Sequence, residues 1–180
     1  MNQVLLRGKA SGNPSFSHDA HGKSYYCVNI RIRRLSGSLD ALNVLVGQAL
    51  LSACEIRKGD PLEIEGQIRS FNNRGDQGSR LVLSVLAQSI RPSDAEDCNT
   101  VILKGNLCKT PEYRKTPLGR EICDLLLAVP RIYGRADFIP VICWGQNARA
   151  CAFHPAGQTL CVEGRFQSRP YTKLPRQGLK

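Results

Sequence analysis

The chain has 180 residues, 42% of them apolar and 6% aromatic, with 25 Lys and Arg against 15 Asp and Glu and a formal charge of +10. That apolar share suffices for a packed core and excludes wholesale disorder, and no apolar run reaches the ~18–20 residues of a membrane span. So basic a balance points to a polyanionic partner, nucleic acid above all. The opening run Met1-Asn2-Gln3-Val4-Leu5-Leu6-Arg7 turns polar at once, unlike a signal or transit peptide, so a cytoplasmic protein is expected.

In chain order, Val4–Leu6 open an apolar run that stops at Gly8. After a Gly-Lys turn, residues 25–32 alternate, with Cys27, Asn29 and Arg31 on one side and Val28, Ile30 and Ile32 on the other; this predicts a strand. His18-Asp19-Ala20-His21 before it reads as a loop. Asp40–Val46 is a third strand. Gln48–Arg57, rich in Ala and Leu, predicts a short helix. Gly59-Asp60-Pro61 turns into a fourth strand over Leu62–Phe71, and a Gly75–Gly78 turn leads to a fifth over Ser79–Ile90.

The chain then repeats itself. Asn2–Gly8 (NQVLLRG) matches Asn99–Gly105 (NTVILKG) at an offset of 97, and Leu62–Ser70 (LEIEGQIRS) matches Leu160–Ser168 (LCVEGRFQS) at 98. Gly47-Gln48 and Gly145-Gln146 also lie 98 apart. Tandem copies of one domain are therefore expected, residues 1–91 and 99–180, joined by a Pro-, Ser- and acid-rich linker over 92–98. Five strands with a helix between the third and fourth is the order of the OB-fold, a Greek-key barrel, so the fold class is all-β with two tandem OB-folds. Only 12 residues follow Ser168, without apolar alternation, so the second barrel is expected to lack its last strand.

Catalytic signals are weak: no phosphate loop, no His-Glu-x-x-His and no Ser-His-Asp order occurs, and the acids are scattered singly. No enzyme activity and no cofactor are expected. The eight cysteines form no Cys-x-x-Cys pair, and Cys27, Cys123, Cys143 and Cys161 sit in apolar strand-like runs, which predicts buried free thiols. His18, His21 and His154 lack metal-ligand spacing, so no metal is expected.

The second copy carries another pattern. Along residues 137–145, Phe138, Pro140, Ile142 and Trp144 point one way and Ile139, Val141 and Cys143 the other. Arg165, Gln167, Arg169 and Tyr171 share a face of the following strand. Side by side, these strands would expose rings and guanidinium groups, the chemistry that stacks unpaired bases and holds phosphates.

Asn99–Gly119 (NTVILKGNLCKTPEYRKTPLG), Leu126–Arg131 (LLAVPR), Asp137–Gly145 (DFIPVICWG) and Val162–Tyr171 (VEGRFQSRPY) together resemble the bacterial single-stranded DNA-binding proteins. The resemblance implies sequence-tolerant coating of single-stranded DNA in replication, repair or recombination, by a bacterial, nucleoid-associated protein. It implies stacking by Tyr133, Phe138, Trp144 and Tyr171 and basic contacts from Arg165 and Arg169. Lys104, Arg114, Lys115 and Arg131 are weaker additions, supported by charge. Family members work as four OB domains, so a homodimer is expected. The basic end Arg176–Lys180 departs from the family's acidic tip, so recruitment of repair enzymes through a tip is not carried over.

The first copy matches the family only through the repeat. Residues 1–92 carry 12 bases and 7 acids, or +5; residues 99–180 carry 13 and 5, or +8. The first copy is expected to act as scaffold or pairing surface, the second to carry most DNA contacts. Two other readings stay open: a primosome-type adaptor acting through protein contacts, and an RNA-binding OB module.

Overall fold

The computed structural model describes residues 1–75 and 78–167. The first repeat builds β1 (Asn2–Ala10), β2 (Ser15–Ala20), β3 (Lys23–Arg33), β4 (Leu39–Gly47), α1 (Gln48–Ala53), β5 (Pro61–Gly75) and β6 (Gly78–Pro92). The second builds β7 (Cys98–Leu107), β8 (Glu112–Lys115), β9 (Glu121–Pro130), β10 (Ala136–Trp144), α2 (Gln146–Cys151) and β11 (Thr159–Gly164). The sequence misses β2 and β8. The run 18–21 read as a loop is mostly strand, because β2 pairs with β3 and the turn falls later, at His21 and Gly22, both with positive φ. The predicted helix is also shorter than Gln48–Arg57, since a helix of six residues persists only by packing.

In the first half the barrel closes through β1–β5, β5–β6, a parallel β4–β6 contact at Val44 and Val85, β3–β4, and β1–β3. The parallel pair between third and fifth barrel strands, with an intervening helix, is the OB topology. In the second half β7 pairs with β9 and β11, and β9 with β10 and β8. The expectation of a missing final strand concerns residues 168–180, outside those described.

The two repeats share one sheet. β1 and β7 run antiparallel from Asn2 opposite Leu103 to Arg7 opposite Cys98, with Val4 facing Val101. Those valines are equivalent at the offset of 97, so the ladder is symmetric about them, like a two-fold axis within one chain. The core is correspondingly one cluster, running from Val4, Leu6, Ile30 and Val44 to Leu103, Leu127, Val129 and Ile139.

Equivalent details recur in both halves. Asn2 sends its amide to Ile68 O and accepts from Ile68 N, each at 2.9 Å; Asn99 does the same with Phe166 at 2.7 and 2.9 Å. Such a clamp satisfies backbone groups beside a strand that ends its ladder. Gly8 and Gly105 also correspond: a Cβ there would lie 2.4 Å from Arg31 O and 2.6 Å from Ala128 O. Close crossing of the first strand over its neighbour requires glycine at both.

The thiols are free, but only Cys123 is fully buried; Cys27 and Cys143 are half-buried and Cys161 is exposed. Cys161 lies on the outer side of β11, opposite Lys104, which corrects its expected burial. No helix among the described residues is long and apolar enough to cross a membrane.

Gly8→Ala and Gly105→Ala are each expected to cost about 1–3 kcal/mol through forced backbone displacement. Urea unfolding measures this. Gly12→Ala, whose Cβ would meet nothing within 4 Å, serves as the control.

Candidate nucleic-acid interface

The β10 alternation emerges as the sequence predicts. Ile139 is buried and Val141 and Cys143 are half-buried, while Phe138, Ile142 and Trp144 are 47%, 41% and 44% exposed on the outer face beside Pro140. Pairing with β9 and β8 extends this face in rows. Trp144 lies opposite Ile122, which lies opposite Arg114, so indole and guanidinium project from the same side with buried Ile122 between them. Phe138 opposes Ala128, which opposes Asn106 on β7. Lys104 projects from that side of β7, two residues from Asn106, and is exposed.

Trp144 also walls a shallow cleft of about 500 Å³ with Gly119, Arg120, Glu121 and Gly145. The β8–β9 turn forms the other wall, tied by Gly145 N to Glu121 O at 3.0 Å and by Arg149 to the Glu121 carboxylate at 2.9 Å. The sequence misses this cleft, because Gly119–Glu121 meet Trp144 only through the β9–β10 register. On the inner side, burial pushes the Cys143 thiol up to about 12, with Cys151 Sγ 3.7 Å away, so Cys143 stays neutral behind the aromatic face.

Tyr133 stands at the apex of the β9–β10 turn, 93% exposed beside Ile132. The turn is fixed at its base by Asp137, a fully buried carboxylate held by Nε and one terminal nitrogen of the Arg131 guanidinium at 2.8 and 2.5 Å. The first half contributes to the same carboxylate: Ser70 N donates at 2.9 Å and Arg69 lies at 3.5 Å. Ser70 Oγ in turn accepts from Phe138 N at 2.9 Å. Burial pushes the Asp137 carboxyl up, but the Arg131 hydrogen bonds, the Ser70 N–H and both arginine charges outweigh it and hold it below the usual aspartate range. The same bond raises the Arg131 pKa.

The remaining sequence-predicted residues divide. Arg131 is spent on Asp137, so its guanidinium orients the turn that carries Tyr133. Arg114 shares its charge with Asp124 at 3.3 Å but stays 60% exposed; Lys115 is exposed opposite Glu121. Arg165 is exposed but does not join Trp144. β11 pairs with β7 rather than β10, and Arg165 lines a second pocket with Arg33, Arg34, Asp97 and Asn99 at the seam of the halves. Arg169 and Tyr171 lie outside the described residues. The Asp137 clamp also escaped the sequence reading. Its signal was the repeat itself, since Arg34 grips Asp40 with two bonds of 2.8 and 2.6 Å at the same six-residue spacing.

Asp137→Asn is expected to cost about 3 kcal/mol at neutral pH, by stranding the charges of Arg131 and Arg69. The native carboxyl titrates below its unfolded value, so its contribution is complete above pH about 4 and is lost as pH falls through the folded value. Urea unfolding at pH 7 and pH 3 should show the gap between wild type and variant narrowing at the lower pH; a constant gap would refute the assignment.

Comparison with known proteins places this geometry. The Single-strand binding protein family matches residues 98–177. A single-stranded DNA-binding protein of Clostridium tetani is 39% identical over 80 residues, which are 41% of this chain and 55% of that protein. The chain thus spans about half the length of the curated relatives it matches. The wild-type single-stranded DNA binding protein of Thermus aquaticus superposes with a TM-score of 0.77 at 27% identity, covering 93% of this chain and 85% of that one. A deletion mutant of the same protein gives 0.79 at 24% identity over 99% and 98%. Residues 98–177 of this chain match the single-strand binding protein family, and the chain as a whole shares its fold with the Thermus protein.

Proposed function

We propose that this chain binds single-stranded DNA without sequence preference and coats it during replication, repair or recombination, as a binding protein rather than an enzyme. The observation that carries the reading is the exposed row Phe138, Pro140, Ile142 and Trp144, with Arg114 in line with the indole. Aromatic rings this exposed on a packed sheet are costly to leave in water and are suited to stack on unpaired bases, each worth about 1–3 kcal/mol. Tyr133 at the turn apex extends the row, and Lys104, Arg114 and Lys115 supply phosphate contacts. Arg165, Arg169 and Tyr171 complete the set in this reading.

The division into a domain over 1–91 and another over 99–180 belongs to the same proposal. Two chains then present four OB domains, and a homodimer is the assembly expected. The setting is the bacterial nucleoid.

Titration with oligo-dT, oligo-rU and a duplex of equal length, followed by Trp144 fluorescence at two salt concentrations, tests the reading. Quenching by oligo-dT, relieved by salt, is expected. Equal quenching by oligo-rU would favour an RNA-binding module, and no quenching of the folded protein would favour an adaptor acting through protein contacts. Trp144→Ala should weaken binding of a labelled oligo-dT roughly tenfold in fluorescence anisotropy, the loss of one stacked base.

A further inference from the structure

The first half carries the same sheet face with different chemistry. In the second half, one cross-strand row of that face is Phe138, Ala128 and Asn106. At the offset of 97 these become Ala41, Arg31 and Lys9, and the registers agree, with Ala41 opposite Arg31 and Arg31 opposite Lys9. The ring is gone and two cations stand in its row. Arg33 follows two residues along β3, on the same side and about 7 Å from Arg31. Lys9, Arg31 and Arg33 are all exposed.

This arrangement is unfavourable for the protein alone. Like charges directly opposite on neighbouring strands repel, and no carboxylate among the described residues lies within ion-pair distance of Lys9, Arg31 or Arg33. The nearby acids are otherwise engaged. Asp40 is held by Arg34, and Asp97 Oδ2 accepts the Arg33 backbone N–H at 2.7 Å. Arg165 reaches the same place from the second half, lining with Arg33, Arg34, Asp40 and Asp97 a pocket of about 280 Å³ at the seam, in which three guanidinium groups outnumber the two carboxylates.

We propose that Lys9, Arg31, Arg33 and Arg165 form a phosphodiester track, on which a single strand leaving the aromatic face of the second half is held through its backbone without base stacking. The inference rests on the single-strand binding proposed above. It assigns the first half a direct part in nucleic-acid contact, where its sequence suggested mainly a scaffold or pairing surface. Guanidinium groups suit the site because each offers paired donors to two phosphate oxygens.

The test uses the full chain and its R31Q/R33Q variant, titrated with oligo-dT of about 10 nucleotides, within one OB site, and of about 35, enough to reach both halves. Each phosphate contact on a single strand contributes about 0.7 to the slope of log K against log salt. The variant should therefore flatten the slope for the long strand by about 1.4, leaving the short strand and the Trp144 quenching amplitude unchanged. R31K/R33K should restore the slope, since the contact is one of charge, and circular dichroism checks that both variants fold. An unaltered slope for the long strand, or a loss that R31K/R33K does not rescue, overturns the track while leaving the aromatic face standing. Failure of the wild-type protein to bind either oligo-dT overturns the parent reading and this one together.

Discussion

Val4 faces Val101 across an antiparallel ladder, and those residues are equivalent in the repeat. A ladder centred on equivalent residues relates the two halves by a local two-fold rotation. A slip by one residue would turn the inward faces of β1 or β7 to solvent, and Val4, Leu6, Val101 and Leu103 are all buried. The register is therefore held by the core of both barrels at once. It also brings Arg69 and Ser70 of one half to Asp137 of the other.

The Asp137 cluster shows why the second half's face depends on the first. A carboxylate buried this completely is tolerable only with its charge matched and its oxygens bonded. Arg131 supplies the charge from within the same turn, and Ser70 supplies a backbone donor from the other repeat. Ser70 Oγ then accepts from Phe138 N at the start of β10. The strand that displays Phe138, Ile142 and Trp144 thus begins on a group belonging to the neighbouring repeat. Arg131, which charge alone suggested as a phosphate contact, is engaged in this cluster.

One fold carries two surfaces here. The inner positions are apolar in both repeats because both must fill a barrel, as with Ile30 and Leu127, Val28 and Leu125, or Leu6 and Leu103. The outer positions are free of that demand and have diverged. By strand register, Phe138, Pro140, Ile142 and Trp144 correspond to Ala41, Asn43, Leu45 and Gly47, one residue out of step with the Gly47/Gly145 match in sequence, while Ala128 and Asn106 correspond to Arg31 and Lys9. In this one row the half poor in rings carries two cations where the other carries none, although its total charge is the lower of the two.

The strand alternation, both short helices, the repeat and the exposed row on β10 were legible in the sequence. Each is set by a local period or by direct self-similarity, and these survive whatever the chain packs against. Unreadable were β2 and β8, whose pairing decides them, and the exposure of Cys161, since an apolar run does not say which of its residues faces out. The separation of Arg165 from Trp144 was also hidden. It follows from β11 pairing with β7, so that consecutive strands are not neighbours. Sequence alone determined the OB class, the tandem repeat and which strand bears aromatic rings, because these rest on periodicity and residue type. Tertiary structure decided which charges are spent and which face solvent. Arg131 and Arg33 look alike in the chain, but one meets a buried carboxylate and the other an open surface, and only long-range packing sets that difference.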